Sequence, residues 1–321
     1  MSEGAAILGP AHRLSFGTAG LGGLYRPVSE AEAEAVLDAA WTAGLRYFDT
    51  APHYGHGMAE HRLGRFLRDR EGWVLSTKVG RLLSPDPDPP AEVHGFHSAL
   101  PLRQRFDFTY DAIMRSVEDS YQRLGLNRID ILYVHDIGDP GAGTDTEMHR
   151  RQLLDSGVRA LEELRSSGEV AAVGLGVNRV EICEELLGRV PLELILLAGR
   201  YSLLDHAAAL RLFERAGAAG VRFVIGGVFN SGILATGPVE GAHYDYAPAS
   251  PEIRARTARL EEICAAHGVP LASAALQFPG RHQAVVSTLI GTAKVGSLNR
   301  NLAQFEAALP EALWSDLAGA T

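Results

Sequence analysis

Short apolar runs alternate with longer amphipathic stretches along most of this chain. An apolar run of about four to eight residues predicts a buried strand, and apolar positions three or four residues apart predict a helix. The predicted strands are Leu14–Thr18, Arg46–Thr50, Trp73–Val79, Ile129–Asp136, Ala172–Val177, Glu193–Ala198, Arg222–Val228 and Val285–Gly291. The predicted helices are Ser29–Ala43, Met58–Arg70, Thr109–Leu124, Met148–Ser167, Val180–Gly188, His206–Ala219, Pro251–His267 and Lys294–Ala308.

This alternation predicts an α/β protein with the (β/α)8 TIM barrel fold, in which each of eight strands is followed by a helix. A doubly wound sheet is the alternative fold, because alternation of strands and helices alone fits both architectures. A length of 321 residues suits one barrel domain over residues 1–321. The segment Ser29–Glu32 has the form of a capping box, which marks the start of the first helix.

Ionisable residues end three successive predicted strands. Asp49 ends the second strand, Lys78 the third and His135 the fourth, and Tyr54 lies in the loop beyond Asp49. Loops at the C-terminal ends of barrel strands form the active site of this fold. We therefore expect the four side chains to lie together.

The four residue types suit acid–base chemistry at a carbonyl or alcohol. Lysine is seldom buried unless it is paired, and Asp49 is the expected partner of Lys78. A nearby ammonium lowers the pKa of a phenol, so Tyr54 is expected to exchange a proton with the substrate oxygen. His135 is expected to hydrogen-bond and orient the same oxygen. Each of the four also has a purely structural interpretation, as a turn cap, half of an ion pair, a packing aromatic or a core histidine.

Two connections are longer than usual. Leu82–Phe108 contains five prolines together with His94 and His97, and Phe229–Ser250 contains three glycines. Both follow predicted strands, so both are expected to lie over the catalytic face as substrate or cofactor loops. Nonfunctional insertions stay open as the alternative.

The composition argues against a nucleic-acid-binding, membrane-spanning or secreted protein. The chain is 46% hydrophobic and 21% charged, its formal net charge is -9, and it has no basic run, so no nucleic-acid partner is expected. No apolar stretch approaches the roughly 20 residues that span a bilayer. The N-terminus does not have the form of a signal peptide, so a cytoplasmic protein is expected. Cys183 and Cys264 lie in predicted helices without metal-ligand spacing, which predicts buried inert thiols and no metal site.

A motif around the second strand closely resembles the aldo-keto reductase family. It reads GLRYFDTAPHYGHG over residues 44–57 and is followed by Glu60 and by Leu63-Gly64. The strands that end in Lys78 and His135 fall where that family has two more catalytic residues. The resemblance covers nearly the whole chain. It implies a barrel that moves hydride between a nicotinamide cofactor and a carbonyl or alcohol. The implied catalytic tetrad is Asp49, Tyr54, Lys78 and His135, with Tyr54 as the acid and base.

The last predicted strand and helix match that family's site for the cofactor pyrophosphate and adenosine. The backbone N–H groups and dipole of a helix start suit a phosphate, and this end of a barrel is where phosphate sites occur. The implied cofactor-binding residues are Gly291, Thr292, Lys294, Ser297 and Asn301 here, Asn178 for the nicotinamide amide, and Asn230, Ser231 and Gly232 over the pyrophosphate.

Three positions depart from the common family pattern. Ala198 stands where many members have a glutamine that contacts the carboxamide, and Gly226 stands where many have an aromatic residue that stacks on nicotinamide. Ser297 stands where NADP-preferring members often have an arginine, which removes a bidentate partner for the 2′-phosphate. Lys294 offers only a point charge in its place. The expected cofactor is NAD or NADP, with NAD favoured.

Two further segments, 115–136 and 229–237, look like a narrower branch of the family. Members of that branch oxidise a hemiacetal carbon, and the product is a lactone. The substrate is an aldose such as L-fucose, L-galactose or D-arabinose, or it is pyridoxal as its hemiacetal. This implies a small-molecule sugar or pyridoxal-type substrate, with His53 as a substrate contact or a solvated loop histidine. The chain ends soon after the last predicted helix, so the two long loops are expected to close a rather open pocket.

Three other functions stay open on the sequence alone. A general aldehyde or ketone reductase would use the same residues. A noncatalytic, cofactor-sensing regulatory subunit would keep the fold and the cofactor site. A Schiff-base aldolase would use Lys78 as its nucleophile, although pairing with Asp49 keeps a lysine protonated. The oligomeric state and the direction of the reaction do not follow from the sequence.

Overall fold

Eight parallel strands close into a barrel in the computed structural model, which describes residues 7–97, 99–141 and 145–319. The strands are β1 (Leu14–Gly17), β2 (Tyr47–Asp49), β3 (Val74–Val79), β4 (Ile131–His135), β5 (Ala172–Val177), β6 (Leu194–Ala198), β7 (Arg222–Gly226) and β8 (Val285–Gly291). They follow chain order around the barrel, and β8 pairs with β1 to close it. The predicted (β/α)8 fold is confirmed, and a doubly wound sheet is excluded. Residues 1–6 and 320–321 of the predicted 1–321 domain lie outside the described part.

Helices pack around the outside of the barrel. They are α1 (Glu30–Thr42), α2 (Met58–Leu67), α3 (Tyr110–Leu124), α4 (Thr146–Gln152), α5 (Val158–Ser166), α6 (Val180–Leu186), α7 (Ala207–Ala218), α8 (Ile233–Thr236), α9 (Pro251–Ala266), α10 (Leu271–Gln277), α11 (Val295–Glu306) and α12 (Glu311–Ala318). The predicted helix Met148–Ser167 is divided into α4 and α5 by one π-helical turn, Leu153–Gly157. The capping box at Ser29 is confirmed, because Ser29 and Glu32 each accept a hydrogen bond from the other's backbone N–H.

The barrel strands are buried almost throughout, which explains why they are continuous apolar runs rather than alternating ones. Polar atoms inside the barrel bond to one another. The Tyr47 hydroxyl lies 3.1 Å from both the Ser76 and the Tyr133 hydroxyl oxygens. Gly176 on β5 leaves room for the Lys78 side chain, because a Cβ at this position would lie 3.3 Å from Cε of Lys78. A large side chain in β5 would therefore displace Lys78 from its position.

Several elements are absent from the sequence prediction. Helices α10 and α12 pack with α9 in an apolar cluster that includes Leu260, Ala274 and Leu313. The long connection after β3 folds into a hairpin in which Arg81–Pro85 pairs with Leu102–Phe106. Smaller hairpins pair Glu92–Val93 with Phe96–His97, and His243–Tyr244 with Ala247–Pro248.

Both cysteines are buried, as predicted. Burial raises the pKa of Cys264 to about 11 and raises the pKa of Cys183 well above its usual range, so neither thiol is reactive near neutral pH. Within the described ranges, the helices are all too short or too polar to cross a bilayer.

Candidate active site

The structure brings together the four residues that the sequence predicts as a tetrad. Asp49, Lys78 and His135 lie near the C-terminal ends of the neighbouring strands β2, β3 and β4, and Tyr54 lies in the turn after β2. Lys78, Tyr54 and His135 line one cavity of about 490 Å³ at this end of the barrel, and Asp49 lies behind Lys78.

Asp49 and Lys78 form a buried ion pair. The Lys78 ammonium lies 2.6 Å from the Asp49 carboxylate and donates to the Thr50 carbonyl oxygen at 2.8 Å. Ser76 donates to the second carboxylate oxygen at 2.7 Å. Burial lowers the pKa of Lys78 and raises that of Asp49, and the charge of each partner opposes the shift of the other. The pair is therefore coupled, and each charge depends on its neighbour.

Tyr54 stands over this pair. The Lys78 ammonium is 4.7 Å from the centre of the Tyr54 ring. Burial raises the pKa of Tyr54 well above its usual value, and the negative charges of Asp49 and Asp136 raise it further. The net shift is therefore upward in the unliganded protein, and the predicted lowering of this pKa by the Lys78 ammonium stays a prediction. Tyr54 is a neutral phenol here.

His135 packs edge-on against Tyr54, with 6.0 Å between the ring centres. Burial, followed by the positive charges of Arg81 and Lys78, holds the pKa of His135 well below its usual value, so the ring is neutral at pH 7. Its Nε2 lies 3.4 Å from the Asp136 carboxylate, whereas its Nδ1 is buried without a hydrogen-bond partner among the described residues. A neutral imidazole can act as one donor and one acceptor beside a substrate oxygen.

Next to His135, polar side chains form one wall of the cavity. This polar wall consists of Arg81, Asp136 and His53, with Gln104 bonded to two of them, and the sequence pattern does not predict it. Arg81 makes an ion pair with Asp136 and donates to Gln104 Oε1 at 3.0 Å. The Gln104 amide lies 2.8 Å from Nδ1 of His53, the predicted substrate contact. His53 lines the cavity and is neutral, because burial lowers its pKa to about 2. Two of these residues do carry a signal in the sequence, since Asp136 directly follows His135 and Arg81 lies three residues after Lys78.

Aromatic side chains line the same cavity, and some of them pack directly on the polar wall, as Phe106 does on Arg81 and Phe96 on His53. Phe96 and Phe106 come from the connection after β3, and Tyr246 comes from the connection after β7. Tyr25 and Tyr246 are exposed at 69% and 70% and stand at the rim. Both long connections therefore contribute to the cavity wall, as predicted.

The floor of the cavity fits a flat nicotinamide ring. Ala198 and Gly226 are paired on β6 and β7, and a Cβ on Gly226 would meet nothing closer than 3.8 Å. Asn178 lines the same cavity, and its backbone carbonyl oxygen accepts a hydrogen bond from Arg200 at 2.8 Å. An amide side chain beside a floor of small residues suits the carboxamide of the ring.

The predicted pyrophosphate loop, Asn230 to Gly232, contacts Tyr246, which lines the cavity. The Ser231 hydroxyl accepts a hydrogen bond from the Tyr246 backbone N–H at 2.9 Å. The Asn230 side chain is already bonded to the Ser202 hydroxyl and the Gly199 carbonyl oxygen. Contact between Asn230 and a cofactor would thus use its backbone, and the role of this loop stays a prediction.

The predicted adenosine-side residues surround the start of α11, outside the catalytic cavity. Gly291 ends β8, Lys294 is the N-cap of α11, and the Thr292 hydroxyl accepts a hydrogen bond from the Lys294 backbone at 3.2 Å. Asn301 lies on the same helix, one turn beyond Ser297. A further residue, which the sequence does not single out, is Arg300, and it donates to the Ser297 hydroxyl at 3.1 Å.

This group connects to the cavity through the segment after β1. A Cβ on Gly20 would lie 3.3 Å from the Ala293 backbone nitrogen, and the adjacent Ala19 lines the cavity. The segment after β1 therefore borders both the catalytic cavity and the start of α11. In the described part of the chain, no three His, Cys, Asp or Glu side chains lie close enough together to hold a metal ion.

Comparisons with known proteins agree with this architecture. Residues 13–320 match the Aldo/keto reductase family. A pyridoxal 4-dehydrogenase from Microbacterium luteolum is 48% identical over 315 residues, which cover 95% of this chain and 92% of that protein. A D-threo-aldose 1-dehydrogenase from Pseudomonas sp is 40% identical over 315 residues, covering 96% of this chain and 93% of that protein.

A solved structure supports the fold alone. The holo form of an aldo-keto reductase from Bacillus halodurans superposes with a TM-score of 0.75 at 24% identity. The superposition covers 96% of this chain and 92% of the other.

Proposed function

Because the chain belongs to the aldo/keto reductase family and is therefore an NAD(P)-dependent oxidoreductase, we propose that it oxidises the hemiacetal carbon of a small aldose to a lactone. The observation that carries this proposal is the polar wall beside the tetrad, where Arg81, Asp136 and His53 line the cavity. Such a wall suits a ring that bears several hydroxyl groups. The 40% identical D-threo-aldose 1-dehydrogenase supports the same substrate class.

The proposed reaction assigns a proton or a charge to each member of the tetrad. Tyr54 first releases its own proton to solvent, and the phenolate then takes the proton of the anomeric hydroxyl. The C–O bond of that carbon becomes a carbonyl as hydride leaves the carbon, and the ring oxygen is retained. A bound nicotinamide, held by Asn178 over Ala198, would supply the acceptor for the hydride that leaves this carbon. Lys78 stabilises the phenolate that must be present before this proton transfer, and Asp49 holds Lys78 in place. Neutral His135 hydrogen-bonds the anomeric oxygen and keeps it in line with Tyr54.

The cofactor would be held by the residues that the sequence assigns to it. Asn178 would bind the carboxamide, the segment 230–232 would cover the pyrophosphate, and Gly291, Thr292, Lys294, Ser297 and Asn301 would hold the adenosine half. We infer that NAD is preferred, since Ser297 offers no guanidinium to a 2′-phosphate.

Pyridoxal, as its hemiacetal, is the second candidate substrate. It undergoes the same chemistry at the same kind of carbon. The aromatic side chains of the cavity, Phe96, Phe106 and Tyr246, favour a flat aromatic ring. The 48% identical pyridoxal 4-dehydrogenase supports this candidate.

We also infer that the chain is one catalytic domain and that it works in the cytoplasm. The two buried, unpaired cysteines support a reducing compartment.

The proposal is tested by following reduced-nicotinamide absorbance. The protein is mixed with NAD or NADP and with L-fucose, L-galactose, D-arabinose or pyridoxal at mildly alkaline pH, and the product is identified by NMR. Formation of a lactone together with reduced cofactor is expected for one of these substrates. Cofactor binding without turnover on any of them would contradict the proposal and favour a carbonyl reductase or a regulatory subunit.

A further inference from the structure

Arg81 and Asp136 form a charged pair in the wall of the catalytic cavity, next to the residues that hold the reacting oxygen. Asp136 follows His135 directly, and its carboxylate lies 3.4 Å from Nε2 of that histidine. Arg81 bonds the same carboxylate oxygen, Oδ2. The tetrad does not use either side chain.

The pair is rigidly held on both sides. The Arg81 guanidinium also donates to Gln104 at 3.0 Å and lies 4.4 Å over the Phe106 ring. The Asp136 backbone N–H donates to the Gly176 carbonyl oxygen on β5 at 3.0 Å. Two charged groups on different connections are therefore fixed relative to His135 before any ligand binds.

This arrangement is costly for folding. A buried ion pair often contributes little or nothing to stability, because both charges lose their hydration. Asp136 has a backbone φ of 48°, in the left-handed region that residues other than glycine seldom adopt. Backbone strain of this kind clusters at functional sites. Stability alone therefore does not account for the pair.

Arg81 retains an unused donor. Its Nε is buried and has no hydrogen-bond partner among the described residues. Arg81 as a whole is 7% exposed and lines the cavity. Asp136 lines the same cavity with a side chain that is 18% exposed. Asp136 thus presents a charged acceptor to the cavity, and the ion pair with Arg81 holds that acceptor in place.

We propose that Asp136, positioned by Arg81, binds the substrate hydroxyl nearest to the reacting carbon and selects substrates that carry it; this inference rests on the proposed function. The reacting oxygen lies at His135 and Tyr54. Oxygens on neighbouring carbons of a ring are about a hydrogen-bond length apart, so the next hydroxyl reaches Asp136. Arg81 holds the carboxylate in position for this contact.

The test compares substrates with and without that hydroxyl. Values of kcat/KM are measured for L-fucose and 2-deoxy-L-fucose, and for pyridoxal and its 3-deoxy analogue, with the wild-type enzyme and with Asp136→Asn. The wild type is expected to prefer the hydroxyl-bearing member of its substrate pair by about a hundredfold or more, because the deoxy analogue removes water from the Asp136 carboxylate without offering it a hydrogen bond. In Asp136→Asn this preference is expected to fall below about tenfold, with the loss confined mainly to the hydroxyl-bearing substrate.

Matched variants separate substrate binding from a structural role. Asp38→Asn removes a carboxylate from another arginine pair, Arg70–Asp38, on the surface, and is expected to leave the preference unchanged. Arg81→Lys keeps the charge but loses the fork geometry, so it is expected to reduce the preference in the same direction and serves if Asp136→Asn does not fold.

Two results would overturn the inference, and they are distinguishable. If the wild type oxidises a full substrate but the variants lower both members of the pair equally, the charged pair only positions His135 and does not select substrate. If the wild-type enzyme oxidises none of L-fucose, L-galactose, D-arabinose and pyridoxal, the proposed function fails and this inference fails with it.

Discussion

The Lys78 ammonium lies 2.6 Å from the Asp49 carboxylate, and both side chains are only 1% exposed. The two residues are on neighbouring strands, and the ammonium also faces the ring of Tyr54. A charge at such depth is stable only beside its counter-charge. The ion pair therefore serves both the fold and the proposed acid–base residue.

Replacing Asp49 by Asn is expected to lower the free energy of unfolding by about 3 kcal/mol, because Lys78 is left as an unpaired buried charge. Urea denaturation measures the change. The double variant Asp49→Asn, Lys78→Met should recover most of this stability and remain inactive. Additive destabilisation in the double variant would contradict the coupling.

Stability should fall as the pH is lowered through the slightly acidic range. Burial lowers the pKa of folded His53 to about 2, whereas an unfolded histidine titrates near 6.5. Between these values the unfolded state binds a proton that the folded state does not bind, so unfolding becomes easier as pH decreases and His53 has no effect well above pH 6.5. At about pH 5 this residue alone accounts for about 2 kcal/mol.

The His53 contribution is measured by urea denaturation between about pH 5 and about pH 8 for the wild type and for His53→Gln. The variant should show a shallower dependence on pH, although not a flat one, because burial also lowers the pKa of His56, His94 and His135. Parallel curves for the two proteins would show that the pKa of His53 in the folded state is not lowered.

Cofactor preference should respond to a single residue on α11. Ser297→Arg supplies a guanidinium fork at the predicted 2′-phosphate position and is expected to tighten NADP relative to NAD by about tenfold or more. Fluorescence titration measures both dissociation constants without turnover. Ser315→Arg on α12, at an exposed position, is the matched control. An unchanged ratio in Ser297→Arg would place the 2′-phosphate elsewhere, for example beside Arg300.

Much of the fold follows from the sequence, because parallel barrel strands are buried on both faces and so give clear apolar runs. The C-terminal ends of three of those runs are occupied by Asp49, Lys78 and His135, so the same pattern also predicts that these residues meet. Helices α10 and α12 do not follow from it. Helix α10 is rich in small residues, and both helices are short, so neither shows a strong helical periodicity.

The polar wall could not be assembled from the sequence. Arg81 and Asp136 are 55 positions apart, and their contact depends on how the hairpin after β3 folds back over the barrel. That hairpin is half-exposed and mixed in polarity, so its register is weakly specified by pattern. Tyr246 reaches the cavity through a backbone φ of 64°, which no periodicity predicts.

The most direct test of the account is Tyr54→Phe, which removes one hydroxyl and leaves the Asp49–Lys78 pair and the ring packing in place. Turnover is measured on whichever aldose or pyridoxal the wild-type enzyme oxidises, and the dissociation constant of the cofactor is measured in parallel by fluorescence. We predict a loss of kcat of at least about a hundredfold with an unchanged cofactor affinity, since general acid–base catalysis contributes a factor of this size or more. Activity retained at the wild-type level would contradict the assignment of Tyr54 as the proton-transferring residue.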